Sequence, residues 1–201
     1  GDLYQNINQM NLFISRTLHT DVLTESARNY YLGQVYGLRA YYMYQLYRSW
    51  GDVVFTEEPS LGFEVGKLAK AATPAAEIFE QVKKDIESSL SYFGSDYTIK
   101  EKKSLWSKAA TLMLKADVYL WSAHRDGGEG DARTAKNALV DIQNNISRSN
   151  LDLMDTYQGV FAYDNKGNKE IIFTIHNELF EYNLWNGNND LFAQADYLWK
   201  F

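Results

Sequence analysis

The chain has 201 residues, enough for one compact domain and short for two. It carries 26 acidic against 20 basic residues and a formal net charge of −6. This balance argues against a nucleic acid as partner, because neutralising phosphates takes a surplus of Lys and Arg. The absence of cysteine excludes disulfides, thiolate catalysis and zinc sites with Cys ligands. No run of eighteen apolar residues predicts a membrane span, and the first residues lack the pattern of a signal peptide.

Apolar residues at helical spacing predict a mainly α chain of five helices with irregular connections. The predicted helices cover about residues 4–18, 26–49, 74–93, 107–123 and 131–146. Thr73 and Pro74 predict the start of the third helix, with Thr73 as its N-cap and Pro74 at its first position, where the missing N–H is not needed.

The second predicted helix carries five aromatic residues between Leu38 and Val53. Its apolar stripe is formed by Tyr31, Val35, Leu38, Tyr42 and Leu46. Small residues at Gly33, Gly37 and Ala40 line an adjacent face and would let another helix approach closely, although each glycine costs about 1 kcal/mol in a helix. We therefore interpret the rings as helix packing, with Trp50 at the helix end as the ring most exposed to solvent.

Two stretches depart from the helical pattern. The loop over 52–73 has no sustained period and is long enough to have a role of its own. Residues 170–175 alternate and are β-branched, which predicts a short β element. We predict one domain over 1–201, with a helical part over about 4–146 and a mixed strand and loop part over about 147–201.

The fourth and fifth helices partly fit the tetratricopeptide pattern, in which small residues stand where two helices cross. The matching residues are Leu112, Ala116, Tyr119, Ala135 and Leu139. Lys115 and Ile142 depart from the pattern, and the turn between the helices is longer than the repeat allows. The pair therefore indicates tetratricopeptide-like packing and not a regular repeat.

A catalytic or cofactor-binding constellation does not stand out. The histidines, at positions 19, 124 and 176, are far apart in sequence, and no carboxylate pair is singled out for acid and base work. We expect neither an enzyme nor a cofactor. Asp126, Glu129 and Asp131 are a weak calcium candidate, since Ca²⁺ takes oxygen ligands from one flexible loop, but the alternative is a solvated turn with Asp131 as an N-cap.

The best candidate for recognition is a segment rich in Asn and aromatic residues near the end of the chain. Its candidate ligand-binding residues are Tyr182, Trp185, Asn186, Asn188 and Asn189, and Trp50 joins them from the long loop. Aromatic faces stack on sugar rings, and amides exchange hydrogen bonds with hydroxyls. The alternative is a polar loop pinned by one buried Trp. Arg39, between aromatic neighbours, is expected to snorkel or stack and so to hold a loop.

Three motifs in chain order resemble the SusD/RagB family of outer-membrane nutrient-binding lipoproteins. The family's long helix is matched by Leu38, Arg39, Ala40, Gly51 and Asp52, and Val54 replaces the usual proline. Its Ala-rich helix is matched by Ala109, Ala110, Leu114, Ala116, Tyr119 and Leu120. Its short strand motif is matched by Leu153, Tyr157, Phe161, Glu170, Ile171 and Phe173.

The resemblance implies a SusD-like α/α superhelix and an N-terminal, tetratricopeptide-containing fragment of a longer protein. It implies a Gram-negative outer-membrane protein, exposed at the cell surface and held by a lipid anchor that this fragment lacks. Family members bind a polysaccharide or oligosaccharide without catalysis and close over a SusC-type TonB-dependent transporter. Their repeat helices mostly contact the transporter, and the loops around them carry ligand contacts.

Two alternatives stay open from the sequence. The chain could be a tetratricopeptide scaffold, or a peptide-binding family member with no affinity for glycans. It could also be a helical glycoside hydrolase, which would require a carboxylate pair that the sequence does not single out.

Overall fold

The computed structural model describes residues 2–62, 69–100 and 103–175. Its long helices are α1 (Asp2–Leu18), α2 (Glu25–Trp50), α3 (Ala75–Phe93), α4 (Lys108–Ser122) and α5 (Gly128–Asn144). A π-helical turn, Ala123–Gly127, joins α4 to α5, and a short helix α6 (Tyr157–Phe161) is followed by a 3-10 turn, Tyr163–Asn165. The prediction of a mainly helical chain with tetratricopeptide-like pairs is confirmed.

Neighbouring helices run antiparallel. Tyr47 of α2 packs on Phe79 of α3 with ring centroids 4.9 Å apart, and Tyr36 stacks on Tyr92 at 5.6 Å, so positions advance along α2 as they fall along α3. The same reversal relates α1 to α2 and α3 to α4. The helices therefore form a series of hairpins in which α2 is packed from several sides.

Local sequence accounts for the helix ends. Thr24 caps α2 by accepting a hydrogen bond from the Ala27 N–H, and Ser107 caps α4 in the same way from Ala110. Gly51 ends α2 with a φ of +72°, a conformation that favours glycine, and its N–H donates to the Tyr47 carbonyl.

Glycine brings α2 close to its neighbours at two positions. A Cβ at Gly33 would meet the Phe93 ring of α3, and one at Gly37 would collide with the Trp106 indole and lie 2.8 Å from Thr111 Oγ1. Trp106 Nε1 donates to Thr111 Oγ1 at 2.8 Å. The prediction that small residues on α2 allow close approach is confirmed.

The core has two parts. The larger lies between α1, α2, α3 and α4, and the smaller between α4 and α5. The buried residues of the larger include Ala40, Met43, Tyr44, Leu46, Ile78, Val82, Ile86, Trp106 and Val118. Those of the smaller include Tyr97, Ala109, Leu112, Ala116, Ala135, Ala138 and Ile142. The rings of α2 contribute to the larger part, which confirms their interpretation as packing.

A buried ion pair joins α2 to α3. Arg39 Nε and Nη2 donate to the two carboxylate oxygens of Asp85, each at 2.7 Å, and Arg39 Nη1 donates to Asn11 Oδ1 of α1 at 2.8 Å. Arg39 is 3% exposed and Asp85 is fully buried. Burial raises the pKa of Asp85, while the hydrogen bonds from Arg39 and from Gln81 act against that rise. Arg39 therefore does not snorkel to solvent. Its guanidinium lies 5.2 Å from the centroid of the Tyr36 ring and 5.9 Å from that of the Phe55 ring, which is the stacking that we expected from the sequence as the alternative.

Three sequence predictions need correction. The stripe predicted for α2 is only partly buried: Leu46 is buried, but Tyr31 is exposed, because α2 is packed on several sides and not on one stripe. The helix predicted from residue 131 begins at Gly128, so Asp131 lies in the first turn of α5 and is not its N-cap. Thr73 does not cap α3, since its N–H and carbonyl pair with Val53.

The β element predicted near 170–175 is also wrong for the described residues. The one β-bridge there joins Val53 to Thr73. Glu170 lies in a turn, and the N–H of Thr174 donates to the Lys103 carbonyl at 3.0 Å as a single bond. A strand requires a ladder of such bonds, and β-branched alternation alone does not supply the partner.

The ion pair yields a first prediction. Asp85→Ala should lower the free energy of unfolding by about 3–5 kcal/mol, because it leaves the Arg39 guanidinium buried and unpaired. Urea unfolding followed by circular dichroism measures the loss. The control is Lys84→Ala, which breaks an exposed pair with Glu57 and should cost about 1 kcal/mol or less. Equal losses for the two variants would show that the buried pair is not a main determinant of stability.

The helix contact at Gly37 yields a second prediction. Gly37→Ala should destabilise the chain by about 1–3 kcal/mol, since the added Cβ would overlap the buried indole of Trp106 and force it to shift. Gly130→Ala is the matched control, because Gly130 lies within α5 with open space around its Cβ position. That substitution should stabilise the chain by about 0.5–1 kcal/mol. A thermal melt in which both variants change in the same direction would contradict the packing argument.

Candidate functional site

A largely apolar cavity of about 540 Å³ lies where the C-terminal end of α2 meets the start of α1. Its lining residues are Leu3, Tyr4, Leu46, Trp50, Asp52, Val53, Val54 and Ala72. Trp50 is the last residue of α2 and is 65% exposed, which confirms the prediction of an exposed ring. Tyr4 of α1 is also partly exposed, so two aromatic side chains line one opening.

A second cavity of about 340 Å³ lies beside the first and shares Tyr4 and Val54 with it. Its lining residues are Tyr4, Gln5, Ile7, Asn8, Asn11, Val54, Phe55, Thr56, Glu58, Ser60 and Lys70. Most of the residues that only this cavity has are polar. We call the two cavities together the Trp50 cleft. The first chamber has aromatic walls. The second has a mainly apolar surface, to which Gln5, Glu58 and Lys70 add an exposed amide, carboxylate and ammonium group.

The loop that forms one wall of the cleft is held at its base. Val53 and Thr73 exchange backbone hydrogen bonds of 3.2 and 2.8 Å, which join the two ends of the loop. Asp52 Oδ1 accepts the Ala75 N–H at 2.8 Å, so this carboxylate supplies the capping bond at the start of α3 that the sequence had assigned to Thr73.

Side chains of α1 hold the loop further along. Asn11 Nδ2 donates to the Thr56 carbonyl at 2.6 Å, and the same side chain accepts from Arg39. Asn8 forms two hydrogen bonds with the backbone of Ser60, at 3.2 and 2.7 Å. The buried ion pair of the core thus continues through Asn11 into the wall of the cleft.

An exposed ion pair joins the loop to α3. Lys84 Nζ lies 2.7 Å from Glu57 Oε1. The hydrogen bond from Lys84 lowers the pKa of Glu57, so this carboxylate stays charged to a lower pH than an ordinary glutamate does. The loop is therefore fixed to α1 and to α3.

The predicted ligand-binding residues are divided by the structure. Trp50 lies in the cleft. Tyr182, Trp185, Asn186, Asn188 and Asn189 lie outside the described residues, so their assignment stays a prediction. The sequence did not indicate Tyr4 or Asn8, because they reach the cleft only through the packing of α1 against a loop some fifty positions later. Nor did it indicate Lys70, which lines the second chamber from the end of the same loop. The length of the loop and the predicted exposure of Trp50 were the signals that pointed to this region.

The signature residues are structural where the structure describes them. Arg39 forms the buried ion pair, Gly51 ends α2, and Asp52 caps α3. Glu170 Oε2 accepts the Met154 N–H at 2.8 Å, and the Phe173 ring packs edge-on to Trp106 with centroids 5.0 Å apart. Leu38 and Ile171 are partly buried, and Ala40 is buried in the core.

The calcium candidate does not form a cluster. Asp126 lies in the π-helical turn, whereas Glu129 and Asp131 lie in the first turn of α5, where the helix dipole stabilises acidic groups. Across 2–62, 69–100 and 103–175, no three His, Asp or Glu side chains come together as they would to hold a metal ion. Within the same ranges, no helix is long and apolar enough to cross a membrane.

Comparison with known proteins defines the class of this helical chain. No protein-family model matches it. The SusD-like protein P25 of Formosa agariphila is 26% identical over 174 residues, 87% of this chain and 31% of that protein. The structure of B. fragilis NanU superposes with a TM-score of 0.82 at 48% identity, over 92% of this chain and 36% of NanU. A SusD superfamily protein of Bacteroides vulgatus superposes with a TM-score of 0.80 at 45% identity, over 93% and 37% of the two chains.

These likenesses confirm the resemblance: the chain is a segment of a SusD-like protein. It spans about a third of the length of the relatives that it matches. The fold is also shared, at 21% identity and a TM-score of 0.70, by a protein described as a laminarin-binding SusD-like protein, over 86% of this chain and 36% of that one.

The cap at the base of the loop yields a third prediction. Asp52→Ala should lower the free energy of unfolding by about 1 kcal/mol, because the Ala75 N–H loses its acceptor. Asp52→Asn keeps an acceptor oxygen and should cost less. Urea unfolding measures both, and limited proteolysis should cut the loop faster only in the alanine variant. Unchanged stability and proteolysis in Asp52→Ala would argue that the cap does not hold the loop.

Proposed function

We propose that the longer protein to which this chain belongs is a surface glycan-binding protein of a Gram-negative outer membrane. It binds a polysaccharide or oligosaccharide without altering it and delivers it to a SusC-type TonB-dependent transporter. SusD-like relatives support the class of function, and a laminarin-binding protein with the same fold supports a glycan as ligand.

The Trp50 cleft is the observation that carries this proposal to particular residues. An exposed indole and a tyrosine line an apolar chamber, and a second, mainly apolar chamber with several polar side chains among its lining residues lies directly beside it. Gln5, Glu58 and Lys70 are exposed along the second chamber and offer both donors and acceptors. Sugars need both kinds of contact, since their C–H faces stack on aromatic rings while their hydroxyls need hydrogen-bond partners.

The fold supports rigid presentation of this cleft. Its loop is fixed by the backbone hydrogen bonds between Val53 and Thr73, by Asp52 and by Asn11. A site whose walls are already in place loses less conformational entropy on binding than one that must order itself. Binding without catalysis also agrees with the described wall residues: among them the acidic side chains are Asp52, which serves as a cap, and Glu58.

Two parts of the proposal rest on family resemblance: the transporter as partner and the lipid anchor. A third, a ligand contact from Tyr182, Trp185, Asn186, Asn188 and Asn189, rests on the chemistry of those side chains. Co-purification of a TonB-dependent transporter with the tagged longer protein would test the first. It would not separate a glycan binder from a peptide binder or a repeat scaffold, and only ligand binding does so.

Glycan binding yields a fourth prediction. In isothermal titration of the longer protein against a panel of host and plant glycans, at least one should bind. Trp50→Ala should weaken that binding about tenfold, since an aromatic stacking contact contributes roughly 1 kcal/mol or more. Trp185→Ala, titrated beside it, tests the second predicted contact.

The control is Trp50→Tyr, which keeps an aromatic face and should retain most of the affinity. Both Trp50 variants should keep the melting temperature of the parent, because Trp50 is largely exposed. Binding that is indifferent to Trp50→Ala would move the site away from the cleft. Failure of every glycan to bind would favour a peptide-importing protein, and sugar release at catalytic protein concentrations would favour a hydrolase.

A further inference from the structure

A group of exposed aromatic rings lies far from the Trp50 cleft in sequence, on α6 and the 3-10 turn after it. Tyr157 is 77% exposed, Phe161 68% and Tyr163 85%. The first two rings pack on each other with centroids 5.0 Å apart. We call these three residues the aromatic patch. Neighbouring Leu153 is likewise exposed, so the segment presents unusual apolar area to solvent for a folded protein.

The backbone beneath the patch is held by hydrogen bonds. Thr156 caps α6 through the Gly159 N–H at 3.1 Å, and Asn165 Nδ2 donates to the Gly159 carbonyl at 3.0 Å. Asn168 is almost fully buried, and its amide donates to the carbonyls of Val160 and Asn165 at 2.9 and 2.8 Å. The rings therefore stand on a defined support.

A second set of contacts ties this support to the rest of the structure. The Asp152 N–H donates to the Lys169 carbonyl at 3.0 Å, and the two side chains form an ion pair at 3.2 Å. Glu170 accepts the Met154 N–H, and two residues later the chain joins the core at Ile172 and Phe173. The segment is held at both ends, and its rings face solvent. An apolar surface on a fixed backbone is typical of one side of a protein interface.

The length of the relatives indicates which part of the protein covers the aromatic patch. The chain covers 31% of P25 and 36% of NanU, so about two thirds of such a protein lies outside it. The patch lies in the last part of the described structure, which ends at residue 175. Burial of three rings is a large hydrophobic gain, which suits a permanent contact within one chain better than a surface that must also remain soluble alone.

We propose that the aromatic patch is an intramolecular interface, covered in the longer protein by chain that lies outside these 201 residues. Tyr157, Phe161 and Tyr163 are then anchors between this helical segment and the remainder of the protein. The inference is independent of the Trp50 cleft and of the identity of any ligand.

Photo-crosslinking in the longer protein tests this. Phe161→p-benzoylphenylalanine places a reactive ketone in the patch, and Tyr163→p-benzoylphenylalanine is a second position in case the first disturbs folding. After irradiation of dilute protein without glycan or transporter, mass spectrometry should find intramolecular crosslinks to peptides outside residues 1–201. Val22→p-benzoylphenylalanine is the control, because Val22 is 90% exposed and lies in a different part of the fold. It should not crosslink to the same peptides.

Stability gives a second readout. Phe161→Ser should lower the melting temperature of the longer protein by several degrees, whereas Leu61→Ser, an equally exposed apolar residue in the cleft loop, should leave it unchanged. Crosslinks confined to residues 1–201 would overturn the proposal. So would crosslinks that appear only with a second copy, with added glycan or with the transporter, since each would identify a different occupant. If the longer protein forms these crosslinks but binds no glycan, the result would contradict the proposed function alone.

Discussion

The structure depends on one buried ion pair. Arg39 of α2 places its guanidinium against the carboxylate of Asp85 in α3, with two hydrogen bonds of 2.7 Å, and neither side chain reaches solvent. Burying two charges is costly, so such a pair persists only where geometry and additional hydrogen bonds compensate. Here Asn11 and Gln81 supply those bonds. The pair therefore fixes the positions of α1, α2 and α3 relative to one another.

That register extends to the candidate site. Asn11 accepts from Arg39 on one side and donates to the backbone of Thr56 on the other, so the wall of the cleft is linked to the ion pair through one side chain. The Arg39 guanidinium also lies over the Phe55 ring, 5.9 Å from its centroid. Arg39 thus positions the wall of the cleft without lining it.

Much of the fold could be predicted from the sequence because it is written in local patterns. The long helices follow from apolar spacing, and Gly33 and Gly37 indicated close approach before any partner was known. Asp85 carries a local indication of a buried partner. It lies on the buried face of α3 between Val82 and Ser89, where an unpaired charge would not be tolerated. Nothing local indicated that its partner is Arg39, 46 positions earlier.

The sequence by itself determined the helical class, the end of α2 near Gly51, the start of α4 near Ser107, the exposure of Trp50 and the resemblance to SusD-like proteins. These features depend on neighbouring residues, whose spacing and conformational preferences are visible in one dimension. Tertiary structure alone decided the burial of Arg39, the capping of α3 by Asp52 and the contact of Asn8 in α1 with the loop over 52–73. Each of these is a contact between distant segments, and it exists only because packing of the helices brings the two groups within hydrogen-bond or van der Waals distance.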